Sequence, residues 1–141
     1  MTSFTRCDFM RDLILVGIGG FIGAVLRYVL SSIIQSDSSA IPIGTLLVNF
    51  LGTLLLGMVV YSAELVSFIT PEIRIFLTIG VLGAFTTMST FGHEAFTMFE
   101  EGKTFLLVVY VVATVLLVFL GIFVARISVN TISSTFQINN P

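Results

Sequence analysis

The chain has 141 residues, 56% hydrophobic and 10% charged, with a formal net charge of −2 and a mean hydropathy of +1.10. A soluble domain of this length carries roughly a quarter charged residues, so the composition excludes one and points to a single-domain integral membrane protein. The small net charge gives no reason to expect nucleic acid as a partner. The lone cysteine, Cys7, excludes a disulfide framework or a cysteine-based metal site within one chain.

Residues 1–12 carry Arg6, Asp8, Arg11 and Asp12 and read as a short polar or amphipathic lead-in. Leu13 to Ile34 is apolar apart from Arg27 and two serines. About 20 residues suffice to cross a bilayer, so this run is a span. It is too long for the apolar core of a signal peptide and has no small-residue cleavage site, so it is expected to stay as a helix. Gln35 to Pro42 is a polar turn, and Gly44 to Ser62 is a second span. Ala63 to Glu72 connects it to the next, with Pro71 marking a helix start. Ile75 to Phe99 is an interrupted third span, and Glu100-Glu101-Gly102-Lys103 makes a tight turn. Phe105 to Ala125 is a fourth span without a charge, and the Ser/Thr/Asn-rich tail over 127–141 is expected to fray. The fold class is all-α integral membrane, with four transmembrane helices in a domain over 13–126, both termini on one side and no repeats. No nucleophile–base pair or metal cluster is visible, so an enzyme is not expected.

Polar residues within the spans carry the functional signal. In the first span Gly20, Gly23, Arg27 and Ser31 follow one helix face, and Gly19 and Gly23 form a small-xxx-small pair of the kind that lets helices approach closely. Packing accounts for the glycines. Arg27 either snorkels to the interface or faces a cavity. In the second, Thr45, Asn49 and Thr53 are four apart and share a face, and a buried Asn49 needs partners for both ends of its amide. In the third, Gly80, Gly83, Thr86, Thr87, Ser89 and Thr90 interrupt the apolar run. Irregular backbone at membrane depth is tolerated only inside protein or along a water-filled cavity, and its carbonyls can coordinate a cation. This stretch therefore reads as a broken helix. The fourth span offers Tyr110 and Thr114 on one face, with apolar Val118 at the next step. His93 beside Glu94 reads as interfacial.

These residues together resemble the Fluc (CrcB-type) fluoride channels. The matching motifs are Gly19-Gly20-x-x-Gly23-Ala24-x-x-Arg27-Tyr28 and Gly44-Thr45-Leu46-x-Val48-Asn49-x-x-Gly52. The third span adds Gly80-x-x-Gly83-x-x-Thr86-Thr87-Met88-Ser89-Thr90-Phe91, and the fourth Tyr110-x-x-x-Thr114. The resemblance implies a third helix broken near its middle and an antiparallel, dual-topology dimer with two fluoride pores. It implies a structural sodium ion held by the backbone carbonyls of Gly83 and Thr86. It also implies fluoride-pore roles for Asn49, Met88, Ser89, Thr90, Phe91, Tyr110 and Thr114, with Arg27 and Glu94 at vestibule or packing positions. The implied function is passive export of cytoplasmic fluoride across the cell membrane, conferring fluoride resistance.

Three pore positions depart from the family pattern: Met88 replaces the first pore phenylalanine, Gly92 a serine, and Val118 a serine or threonine. The cations are also uneven, with Arg6, Arg11, Arg74 and Arg126 on one expected face and Lys103 on the other. Lys/Arg bias sets orientation, which places the termini in the cytoplasm for most copies. The partner is therefore either a second copy or an oppositely oriented homologous subunit, the latter giving a heterodimeric channel with one impaired pore. A small four-helix proton-coupled multidrug or guanidinium transporter is the competing reading. It needs a membrane carboxylate in the first span, where the only charge is Arg27.

Overall fold

The computed structural model describes residues 6–36, 39–65 and 68–139. The first five residues of the expected lead-in and the last two of the expected tail lie outside the described residues. Helix α1 runs over Arg6–Ile34 and α2 over Ile43–Leu65. The third span consists of α3 (Pro71–Ile75), a π-helical stretch Phe76–Leu82, a single turn α4 (Gly83–Phe85) and, after a break, α5 (Met88–Glu100). Helix α6 is Thr104–Asn139. Four helical spans are long and apolar enough to cross a membrane, as the composition requires.

Local chemistry explains where these elements start and stop. The Gln35 side chain accepts a hydrogen bond from the Gly44 amide at 3.1 Å, occupying one of the free donors at the start of α2. Thr70 caps α3 by accepting from the Ile73 amide, and Pro71 sits in the first turn, where its missing N–H costs nothing. At the end of α5 the chain reverses through Gly102, whose φ of 70° lies in the left-handed region that glycine tolerates. The Lys103 amide closes that turn on the Met98 carbonyl at 2.9 Å. Helical backbone extends beyond the expected spans at both ends: α1 begins at Arg6, and α6 continues past Arg126 through the segment expected to fray. No proline or glycine in either stretch stops the helix.

Glycines set two close helix contacts. A Cβ on Gly19 would lie 2.8 Å from the Phe76 carbonyl oxygen and 2.9 Å from the Gly80 Cα, and one on Gly23 would collide with the Val81 carbonyl. Helix α1 thus lies backbone to backbone on the π-helical stretch. That stretch is unexpected from the sequence. Gly20 meets nothing within 4 Å, so Gly19 and Gly23 form the packing pair. The second contact joins α2 to α6, where a Cβ on Gly57 would lie 2.7 Å from that of Ala125 and one on Gly121 3.1 Å from the Phe50 carbonyl oxygen.

The buried residues are few and unusually polar for an apolar chain. Thr45, Asn49, Thr53, Thr87 and Thr114 are buried beside Val48, Phe91 and Tyr110, whereas most large aliphatic and aromatic side chains are exposed, as lipid contact demands. Arg11 pairs with Glu72 at 3.1 Å, tying the start of α1 to the start of the third span. Arg126 lies 6.0 Å from the Tyr61 ring at the far end of α2. The arginine-rich end is therefore one face of the molecule. Lys103, paired with Glu101 at 2.8 Å, marks the other.

Candidate functional site

The third span breaks at two residues. Thr86 (φ −74°, ψ 155°) and Thr87 (φ −145°, ψ 113°) are extended between the last turn of α4 and the first of α5. Asn49 on α2 clamps the break from the side. Its Nδ2 donates to the Thr87 carbonyl at 3.1 Å, and its Oδ1 accepts from the Thr87 amide at 2.7 Å. Both ends of the buried amide are thereby satisfied by one residue of irregular backbone. Thr87 in turn caps α5, its hydroxyl accepting from the Thr90 amide at 3.2 Å and donating to the Thr90 hydroxyl at 2.8 Å.

This arrangement selects which carbonyls are freed. In an α-helix the Thr87 amide would return to Gly83 and the Thr90 amide to Thr86. Here the first goes to Asn49 and the second to the Thr87 hydroxyl. Gly83 is exposed and has no side chain to shield its carbonyl. Thr86 is half-buried, and both its amide and its hydroxyl turn back to the Leu82 carbonyl, at 3.0 and 3.1 Å. Carbonyl oxygens without a helical donor suit a hard monovalent cation, so the residues present fit the implied sodium ion.

A second polar node lies one turn further along α5. Glu94 accepts from the Thr45 hydroxyl at 2.8 Å and from the Tyr110 hydroxyl at 2.7 Å, joining α2, α5 and α6. Tyr110 is fully buried, and its ring lies 5.2 Å from that of Phe91 at a 50° tilt. The Thr114 hydroxyl donates to the Tyr110 carbonyl at 2.8 Å and the Thr53 hydroxyl to the Asn49 carbonyl at 2.7 Å, so both are spent on their own helices. Thr90 keeps its hydroxyl hydrogen for another partner, as Asn49 keeps its second N–H.

Three adjoining cavities run past these groups. The innermost, about 250 Å³, is lined by Arg27, Ser31, Thr45, Thr87 and Thr90 among others. It shares Ser31, Thr45 and Thr90 with a cavity of about 360 Å³ that reaches Gln35 and Glu94. That one shares Gln35 and Glu94 with a cavity of about 240 Å³ opening beside His93 and Lys103. Arg27 therefore faces a cavity, and no carboxylate pairs with it among the described residues.

The structure brings Asn49, Thr86, Phe91, Glu94 and Tyr110 around the break. Met88 is 78% exposed, Ser89 and Thr90 are exposed beside it, and nothing lies within 4 Å of a Cβ built on Gly92. Met88 and Gly92 thus sit on the open side of α5, and Val118 is half-buried on α6. Sequence reasoning gave Thr45 and Thr87 no place among the site residues. The four-residue spacing of Thr45 and Asn49 was the available signal for the first. Only the contact with Asn49 reveals the second.

Comparison with known proteins gives the same answer from an independent direction. Residues 14–126 match the family model described as CrcB-like protein, Camphor Resistance (CrcB). A protein of Methanosarcina acetivorans named Fluoride-specific ion channel FluC 1 is 48% identical over 119 residues, 84% of this chain and 91% of that protein. Fluoride-specific ion channel FluC 3 of Methanosarcina barkeri is 45% identical over 117 residues, 83% of this chain and 89% of its own length. A Shewanella frigidimarina protein named Fluoride-specific ion channel FluC is 51% identical over 94 residues, 66% of this chain and 75% of that one. These matches leave no ground for the multidrug or guanidinium reading. The chain is a multi-pass cell-membrane protein and belongs to the CrcB family, the Fluc group that its four motifs resemble.

Proposed function

We propose that the chain is a subunit of a passive fluoride-selective channel, which lets cytoplasmic fluoride leave the cell and so confers fluoride resistance. The observation that carries this reading is the break at Thr86–Thr87, clamped by Asn49 and flanked by unspent donors. A small, strongly hydrated anion gives up water only where N–H and O–H groups replace it. The second N–H of Asn49, the hydroxyl hydrogen of Thr90 and the guanidinium of Arg27 are available for that task. The positive ring edge of Phe91 offers a further contact. A negative-inside potential favours anion exit, so no ATP or redox cofactor is required.

The working unit in this proposal is an antiparallel, dual-topology dimer. The Gly83 and Thr86 carbonyls of both subunits would hold a sodium ion at its centre. When bound, that ion supplies fixed positive charge that offsets the repulsion an anion meets in a low-dielectric interior. Exposure of Gly83 and of the Met88–Thr90 edge supports a partner covering this side.

Selective fluoride efflux from liposomes containing this chain alone, with chloride as the control anion, is the expected result. The arginine bias towards one end favours a second reading, a heterodimer with an oppositely oriented homologous subunit. In that case efflux appears only when both subunits are reconstituted. Absence of fluoride flux from either preparation would sink the channel proposal.

A further inference from the structure

Gly52 is buried on α2, one turn beyond Asn49. Of the other α2 glycines, Gly44 meets α1 and Gly57 meets α6, whereas Gly52 meets the break itself. A Cβ built on it would collide with the Thr86 Cγ2 methyl and lie 3.0 Å from Phe85 Cδ1. That methyl is not free to swing aside. The Thr86 hydroxyl donates to the Leu82 carbonyl at 3.1 Å, which fixes the side-chain torsion of a residue that has few alternatives.

The contact reaches the main chain. The Thr87 amide donates to Asn49 Oδ1 at 2.7 Å, and the Thr86 carbonyl belongs to the same peptide unit. That unit is trans and planar, so its N–H and C=O point in opposite directions and the carbonyl turns away from α2. Asn49 thus sets where this oxygen aims. The hollow at Gly52 sets how close to α2 it stands. The two residues are three apart and share one face of α2, so a single helix face holds both extended residues of the break.

We infer that Gly52 is a positioning residue for the Thr86 carbonyl: the hollow left by its missing side chain seats the Thr86 methyl and so sets the height of a carbonyl ligand to the proposed sodium ion. The inference rests on the sodium reading of Thr86, and the seat itself is testable without conduction.

The test is a double-variant cycle on purified full-length protein in detergent, with Gly52→Ala, Thr86→Ser and both together. Each is melted over a series of sodium concentrations, with N-methylglucamine replacing sodium at constant ionic strength. An ion that binds only the folded protein raises its melting temperature, so the curves report sodium affinity. Gly52→Ala is expected to need about tenfold more sodium for the same rise, within the range that overpacking a tight contact costs. Thr86→Ser removes the colliding methyl and keeps the hydroxyl that bonds Leu82, so alone it should stay near wild type. Combined with Gly52→Ala it should recover a large part of the lost affinity, the Phe85 contact accounting for the remainder. A general need for glycine in α2 would give no such rescue. Wild-type sodium dependence in Gly52→Ala, or no recovery in the double variant, overturns the inference. If Gly52→Ala yields no folded protein, the double variant must fold or the inference falls. A wild type whose melting ignores sodium counts against the sodium site of the proposed function. The seat is then decided by melting in N-methylglucamine, where Gly52→Ala must melt earlier and the double variant must recover.

Discussion

Asn49 is the residue on which the break depends, because its one side chain occupies both the amide and the carbonyl of Thr87. Asn49→Ala leaves two buried backbone groups without partners, at about 1–3 kcal/mol each. Asn49→Asp keeps the acceptor but turns a carboxylate oxygen towards the Thr87 carbonyl. Both variants should melt earlier than wild type in detergent and lose fluoride efflux, with Asn49→Asp no better than Asn49→Ala; an unshifted melting curve would remove Asn49 from the scaffold. Met88 and Val118 tell the opposite story. Met88 makes no buried contact and Val118 is only half-buried. Met88→Phe and Val118→Ser should therefore leave the melting temperature within a degree or two of wild type. If these departures limit conduction, the double variant raises efflux. No change in flux would mean that they do not line a working pore.

At the scale of elements, the contact between α1 and the π-helical stretch is governed by Gly19, Gly23 and Gly80. A methyl group on Gly23 collides with the Val81 carbonyl, a backbone atom that cannot rotate away. Gly23→Ala should cost about 1–3 kcal/mol or prevent assembly of the bundle, the range for overpacking a tight contact. Gly20→Ala, whose added methyl has nothing within 4 Å, should be neutral or slightly stabilising through helix propensity. Thermal stability of the two purified variants distinguishes this contact from a general need for glycine in α1. The two helix pairs also explain how an apolar chain can carry a polar interior. Close backbone approach leaves α2 free to face the break with Thr45, Asn49 and Thr53, all buried.

For the whole molecule, the separation of cations predicts a preferred orientation. Arg11 is tied to Glu72, and Arg126 lies by Tyr61, so these groups mark one end while Lys103 marks the other. Cys7 lies at the arginine-rich end, is exposed and is the only cysteine, which makes it a natural reporter. A membrane-impermeant maleimide applied to intact cells should label a minority of copies, and permeabilisation should label the rest. Labelling of about half the copies before permeabilisation and of the other half after it would show that the bias does not act, and would favour a homodimer inserted in both directions.

Four apolar runs in a chain with so few charges already dictate a helical membrane protein, because a bilayer leaves no other way to satisfy so much backbone. The same composition locates the polar break, since hydroxyls and glycines are conspicuous only against an apolar background. Family membership is also legible there, in motifs whose order spans the chain. Tertiary structure alone decides which backbone oxygens the break frees. That depends on the Thr87 amide turning to Asn49, 38 positions away in sequence. It alone places Glu94 between Thr45 and Tyr110, and sets Gly19 and Gly23 against the backbone of Phe76, Gly80 and Val81. Spacing along one helix reports which residues share a face. Which neighbour that face meets, and at what height, is settled only when the helices pack.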